Sequence, residues 1–315
     1  MGASHTDADP KAWLGASSSP AVEPWVQEFV KPTGPLALEM ERAWSTVLRV
    51  PVGPDEVVWF KHCKTAQAFE PRLTRVLYAR WPDRVVRVLA VDEERSWLLL
   101  ADGGTPFGAF GNSTDAWEAV LPLYAELQIG EIVHAEEHVA AGVPDLRLAA
   151  LPEHYADMRA RDDVPLEREQ RARLARFEPR FAELCAELAG TAGETVQHDD
   201  LHIGNVHADG DDLRILDWGD TSISHPFFSL VVTFRMLEEV VKIPAGDPIY
   251  ARLRDAFLEP WGGDVATFDR AMRVGIIAHT FTWFRHRDVM PAADRLEFDG
   301  WFPRVLGRAV DQTDL

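Results

Sequence analysis

Hydrophobic and polar positions alternate along the chain in two regimes. Residues 22–30 carry Trp25 and Phe29 at helical spacing and predict a short helix. The runs 44–50 and 56–61 are β-branched and aromatic. Between them lies the turn Pro51-Val52-Gly53-Pro54-Asp55, so the pair predicts a hairpin. Over 66–80 the period changes: Phe69, Leu73, Val76 and Leu77 fall on one face of a helix. Two further apolar runs, 85–91 and 96–101, complete a small antiparallel sheet.

From Asp115 onward the pattern is helical. Trp117, Val120, Leu121, Tyr124 and Leu127 make one stripe, with a kink expected at Pro122. A longer helix is expected over 166–189, with Leu174, Phe177, Phe181, Leu184 and Leu188 inside and Gly190 as its stop. Segments 229–242 and 268–287 read as further helices, the latter holding His279, Phe281, Trp283, Phe284 and His286. Residues 1 to about 20 are small and polar and predict a disordered lead-in.

The densest chemistry lies at 197–220. It holds a loop, His198-x-Asp200-x-x-x-x-Asn205, and an acidic turn, Asp217-Trp218-Gly219-Asp220. A short hairpin lies between them: 206–207, a polar turn at 208–212, then 213–216. A hairpin of that length brings its ends together, so Asp200, Asn205 and Asp217 should converge. A carboxylate with an Asn five residues on, and a second carboxylate across a hairpin, suits phosphoryl transfer from a nucleotide. Asp200 would orient a hydroxyl and accept its proton, while Asn205 and Asp217 hold magnesium. Solvated turns account for Asp209, Asp211 and Asp212. They do not account for Asp217, which ends an apolar run where a charge needs a cation or donor to meet it.

Asp200-Leu201-His202-Ile203-Gly204-Asn205 and Ile215-Leu216-Asp217-Trp218-Gly219-Asp220 resemble the aminoglycoside phosphotransferase and choline kinase-like superfamily. Its loop usually reads His-Gly-Asp-Leu-His-x-Gly-Asn, followed by Ile-Asp-Trp or Ile-Asp-Phe. Asp199 stands here in place of the usual Gly and puts an extra charge beside the base. The resemblance implies an α+β bilobal kinase-like fold, with a lead-in at 1–21, a sheet-rich nucleotide lobe at 22–101 and a mainly helical catalytic lobe at 102–315. It also implies that Lys61, positioned by Glu70, meets the nucleotide phosphates, and that the 50–55 turn covers them. The backbone at Asp102 and Gly103 would meet the adenine edge where the lobes join. His198 would brace the loop and His202 would lie near the mouth of the site. In this family the region around 268–287 shapes the acceptor pocket, although aromatics there serve core packing more often than stacking on a sugar. The cofactors implied are ATP, with GTP as the alternative, and Mg2+.

Composition narrows the partners. Lys plus Arg total 32 against 51 for Asp plus Glu, a formal charge of −19. That field opposes a nucleic acid polymer or an anionic membrane. It favours a cationic acceptor such as an aminosugar, and it equally serves solubility. No apolar run is long enough to span a bilayer, no secretory pattern opens the chain, and the two cysteines make no metal or disulfide framework, so a cytoplasmic protein is expected. Neither Gly-x-Gly-x-x-Gly nor a Walker P-loop occurs, nor the His-Glu-x-x-His of a zinc hydrolase. The reading is an ATP-dependent kinase of a small-molecule hydroxyl. Two alternatives stand beside it: a catalytically inactive nucleotide-binding pseudokinase serving as an interaction protein, and a metal hydrolase built on the His/Asp cluster. Oligomeric state is not legible.

Overall fold

The computed structural model describes residues 20–110, 114–164, 166–209 and 212–314. The expected lead-in therefore lies outside the described residues up to position 19. The chain opens with helix α1 (Val22–Phe29) and strands β1 (Ala37–Glu41), β2 (Ser45–Pro51) and β3 (Val57–Cys63). A 3-10 turn at Thr65–Gln67 leads into α2 (Glu70–Arg80), followed by β4 (Val88–Asp92) and β5 (Trp97–Ala101). The five strands form one antiparallel sheet in the order β1-β2-β3-β5-β4. The expected hairpin is β2–β3, with Val47 opposite Lys61. Strand β1 escaped the sequence pattern because it is an edge strand. None of its positions is fully buried: Leu38 and Met40 alternate with exposed Glu39 and Glu41, and only five residues long, it offers a weak signal beside its pairing to β2.

One face of this sheet packs on α1, where Trp25 meets Phe60 and Trp97 edge-on at 5.9 and 5.5 Å. Helix α2 does not join that core. Its Leu73 and Leu77, with Phe69, are buried in the main core of the molecule. It begins at Glu70 rather than 66, and Pro71 occupies the first turn, where a missing N–H costs nothing.

The remainder is mainly helical: a two-residue strand β6 (Thr105–Pro106), then α3 (Thr114–Glu131), α4 (Ala135–Ala140), α5 (Leu151–Ala160) and α6 (Arg168–Leu188). Short strands β7 (Thr195–Gln197), β8 (Val206–Asp209), β9 (Asp212–Ile215) and β10 (Ser222–Ser224) follow. The chain ends with α7 (Leu230–Met236), continued by a π turn at Leu237–Val241, then α8 (Pro248–Leu258), α9 (Val265–Val289) and α10 (Ala292–Asp311). Helix α3 runs through Pro122 without ending, because its buried stripe from Trp117 to Leu127 outweighs one lost hydrogen bond. Helix α9 passes through the core, burying Phe268, Val274, Ile277 and Phe281. Among the described residues no helix is long and apolar enough to cross a membrane.

Candidate active site

Strand alternation sets the first half of the site. Phe60 faces the core under α1, so Lys61 points from the opposite face of β3 toward α2. Its side chain is 8% exposed, and Nζ lies 2.6 Å from Glu70 Oε2 and 2.6 Å from Asp217 Oδ1. Burial alone would lower the Lys61 pKa; Asp217 and then Glu70 overcome it and hold the ammonium well above its usual range. Burial pushes the Glu70 carboxyl up, against the pull of Lys61. Glu70 sits in the first turn of α2, where the helix dipole favours an acid, and it also accepts from Cys63 Sγ at 3.2 Å. A lysine, an acid nine residues on and an acid from the far hairpin thus meet at one point.

The second half is the loop and the hairpin behind it. Val206 pairs with Ile215 and His207 with Arg214, and Leu216 N donates to Asn205 O at 2.9 Å, which closes the hairpin base. The tip, residues 210–211, lies outside the described residues. His198 is buried and braces the loop: Asp200 N donates to its Nδ1 at 3.3 Å, and Nε2 donates to Leu216 O at 2.8 Å. Burial lowers its pKa, which keeps that acceptor–donor arrangement. Asn205 Nδ2 donates to Asp200 O at 2.9 Å and Oδ2 at 3.1 Å. His202 Nε2 lies 3.4 Å from the same carboxylate. Burial works to lower the His202 pKa, but the bond to Asp200 together with the charges of Asp200 and Asp217 outweighs it, and the net shift is upward. Asp217 adopts a left-handed backbone, φ 60° and ψ 64°, with its side chain 39% exposed. Such conformations are stored where surrounding structure enforces them, here the fully buried Trp218.

Asp199, the residue replacing the family's glycine, also has positive φ, 52°. Its carboxylate is not solvated beside Asp200 but buried, accepting from Gln197 Nε2 at 3.1 Å and lying 3.0 Å from His279 Nδ1. His279 Nε2 receives Trp283 Nε1 at 2.9 Å and Arg235 at 3.1 Å, so the ring turns its Nδ1 side to Asp199. Seven residues on, His286 lies 2.9 Å from Asp220, which also accepts from Gln67 Nε2 at 2.9 Å. The sequence pattern places His279 and His286 in an aromatic helix and assigns neither a contact with the loop or the acidic turn. Their spacing of seven puts both on one face of α9, and that was the available signal. Nothing in the sequence singled out Gln67 or Arg235.

Among the described residues no side-chain hydrogen bond or ion pair joins Asp102 or Gly103 to this cluster. They follow β5, where Gly104 N donates to Asp102 Oδ1 at 3.0 Å. Gly103 packs so closely on Leu216 and His207 that a Cβ there would lie 2.9 Å from Leu216 Cδ2. The turn at the lobe junction is thereby held one residue from Asp217.

Among the described residues no group of three or more His, Cys, Asp or Glu is arranged to hold a metal. Magnesium asks for less: one or two carboxylates, with phosphates and water completing its shell. The partly exposed Asp217 carboxylate fits that need. Asn205 also fits, since its amide nitrogen is committed to Asp200 and its Oδ1 remains as the acceptor.

The profile of the phosphotransferase enzyme family (APH) matches residues 115–271. Sequence comparison with curated proteins finds no match. Among solved structures, a macrolide 2'-phosphotransferase from Brachybacterium faecium superposes with a TM-score of 0.60 at 16% identity, covering 90% of this chain and 96% of that one. A choline/ethanolamine kinase family protein from Mesorhizobium loti gives 0.58 at 17% identity, covering 93% and 96%. The GDP complex of an aminoglycoside 2'-phosphotransferase gives 0.58 at 14% identity, covering 89% and 93%. At these identities the likeness is one of fold. Together with the family profile over the loop, the hairpin and the acidic turn, it places the chain in the phosphotransferase enzyme family, on a bilobal kinase-like α+β fold.

Proposed function

We propose that the protein transfers the γ-phosphate of a nucleoside triphosphate, ATP or GTP, to the hydroxyl of a small molecule. Residues 22–101 would form the nucleotide lobe and 102–315 the catalytic and acceptor lobe. The observation that carries the reading is the meeting of Lys61 and Glu70 with Asp217, a residue 156 positions from the lysine, at 2.6 Å. A buried ammonium shared by two carboxylates is poised to exchange one of them for phosphate oxygens. Asp217 and Asn205 would hold magnesium, which supplies charge neutralisation on the transferred group. Asp102 and Gly103 would present backbone to the base of the nucleotide.

Asp200 would accept a hydrogen bond from the acceptor hydroxyl and align its oxygen with the γ-phosphorus. As the new O–P bond forms and the bond to the diphosphate breaks, the hydroxyl proton passes to Asp200. Asn205 fixes the carboxylate through Oδ2, and His202 stands beside that same oxygen. Catalysis is then mainly positioning and charge stabilisation.

The test is nucleotide consumption over a panel of aminosugars, antibiotics, amino alcohols and hydroxy acids, run beside Asp200→Asn. Acceptor-dependent release of diphosphate nucleotide is expected from the wild type and not from the variant, which should keep magnesium–nucleotide affinity within a few-fold. Nucleotide binding without turnover on any acceptor would favour the pseudokinase reading. Equal turnover by Asp200→Asn would remove Asp200 from its role.

A further inference from the structure

A cavity of about 250 Å³ lies between α7 with its π turn, α8, α9 and α10, and its Arg235 and His279 link it to the 198–205 loop. Its wall is largely apolar, including Phe234, Tyr250, Met272 and Ile276, and is interrupted by Arg235 and His279. The loop and the cavity share structure. Thr233 Oγ1 donates to Leu201 O at 2.7 Å, and His279 reaches Asp199 on the loop side. Arg235 is near enough to Asp200 for that carboxylate to raise its pKa, although burial dominates and the net shift is downward. Among the described residues Arg235 forms no ion pair. Its one hydrogen bond goes to an imidazole nitrogen, His279 Nε2, at 3.1 Å. A second arginine in the wall, Arg308, is already matched by Glu239, and the lining carboxylate Glu238 is exposed.

A part-buried guanidinium whose hydrogen bond goes to a ring nitrogen and which faces a cavity has room for an anion in direct contact. The cavity is also smaller than the ~300–1,000 Å³ of drug-sized sites, so it takes a compact molecule. Resting on the kinase reading above, we infer that the phosphate acceptor is a small hydroxy acid: its apolar body fills this cavity, its carboxylate pairs with Arg235 and its hydroxyl faces Asp200. The net charge of −19, which favoured a cationic acceptor, is not the charge this wall presents. A part-buried arginine repels an ammonium and forms a fork that matches a carboxylate. His279 acts as a positioning residue: it receives Arg235 on Nε2 while Asp199 lies against its other nitrogen, which ties the anion site to the catalytic loop.

The experiment uses the full chain with three hydroxy acids: mandelate, 3-phenyllactate and 3-hydroxy-4-methylpentanoate. Each is compared with its carboxamide and with the amino alcohol in which an aminomethyl group replaces the carboxylate. Binding is measured by calorimetry with magnesium and a non-hydrolysable nucleotide, and turnover by steady-state kinetics. At least one acid should bind roughly 10- to 100-fold tighter than its amide, with the amine weakest. Arg235→Gln should erase that preference chiefly through KM, and Arg235→Lys should restore part of it, with circular dichroism confirming that both variants fold. A preference for the amines, no acid at least about tenfold better than its partners, or an Arg235→Gln variant that keeps the preference would each overturn the proposal. So would a uniform fall in kcat on every acceptor with KM unchanged, which would put Arg235 on the transferred phosphate instead. Nucleotide affinity of the wild type, taken in the same titrations, separates the two claims. Normal binding of nucleotide without discrimination between acid and amine sinks only the acceptor class, whereas absent nucleotide binding sinks the kinase reading itself.

Discussion

Lys61 is the residue on which the two halves of the site depend, because one ammonium holds Glu70 and Asp217 together. With the nucleotide bound, Glu70 would remain as its orienting partner, and so Glu70 acts only through the lysine. That relation has a kinetic signature. Lys61→Ala and Glu70→Ala should each lower kcat/KM, the first by roughly 100-fold, and the double variant should lose little beyond the worse single. Steady-state kinetics on the four proteins, with nucleotide Kd measured alongside, makes the comparison. Losses that add would mean two separate roles, and near-wild-type singles would reduce both to structural groups. Asp199 is the complementary case. In sequence it looked like an added charge next to the base; in the structure that charge is turned away and faces His279. A residue's type was legible, but the direction of its side chain was fixed by a left-handed φ and by a helix eighty positions away.

At the scale of elements, the parts with strong period or dense turn chemistry could be read in advance. The β2–β3 hairpin, the face of α2, the stripe of α3, helix α6 and the β8–β9 hairpin all fell near their expected ranges. Elements outside the reading are β1, an edge strand, and α8 and α10, which do carry apolar stripes (Ile249, Leu253 and Phe257; Phe298, Phe302, Val305 and Leu306), with Asp247 and Pro248 marking the start of α8. The junction after β10 is another such place. His225 caps the 3-10 turn Pro226–Ser229, accepting from Phe227 N at 3.3 Å, and its ring stacks on Phe228. Burial pulls its pKa down from 6.5 to about 3. The unfolded chain therefore binds this proton first. The stability contributed by a neutral His225 is complete above about pH 6.5 and is lost as pH falls from there toward 3, by on the order of a few kcal/mol. Replacing His225 with Asn keeps a capping acceptor but cannot titrate. Chemical denaturation at a series of pH values should show His225→Asn somewhat less stable than wild type at pH 8, yet losing stability less steeply between pH 6.5 and 4. Parallel curves for the two proteins would show that this imidazole does not govern acid sensitivity. His198, buried and also lowered, stays in both and contributes to the slope that remains, as do the lowered carboxylates such as Glu131.

Across the whole molecule, the small sheet and the helical body are joined by more than the chain at residue 102. Helix α2 lies next to β4 but buries Leu73 and Leu77 in the large core, and its far end is fastened to α3. There Glu131, fully buried, accepts from Arg80 Nη1 at 2.7 Å and Trp81 Nε1 at 2.8 Å, with His138 Nε2 at 2.8 Å. Burial alone would raise the Glu131 pKa; the bonds from His138, Trp81 and Arg80 reverse it, and the net shift is downward. Gly130 makes the approach feasible, since a Cβ at that position would lie 2.3 Å from the Trp81 ring. A second tie runs from Arg84, which reaches Glu126 at 2.6 Å and donates to Leu123 O at 2.8 Å. One carboxylate thus satisfies three donors at the seam, and removing its charge leaves buried partners unmatched. Glu131→Gln should cost about 3 kcal/mol at pH 7, by the logic of breaking one side of a buried pair. The comparison is Arg75→Ala, which breaks an ion pair to Glu93 whose side chains are 49% and 42% exposed. That loss should stay under about 1 kcal/mol because solvent and salt screen the pair. Urea unfolding followed by tryptophan fluorescence reads both, since Trp25 and Trp97 report on the sheet and Trp117 and Trp218 on the helical body. Equal, small losses for the two variants would mean that the Glu131 cluster does not fasten α2 to the helical body. A large loss confined to Glu131→Gln would identify the buried carboxylate as the group that fastens α2, and with it Glu70 and Lys61, to the helical body.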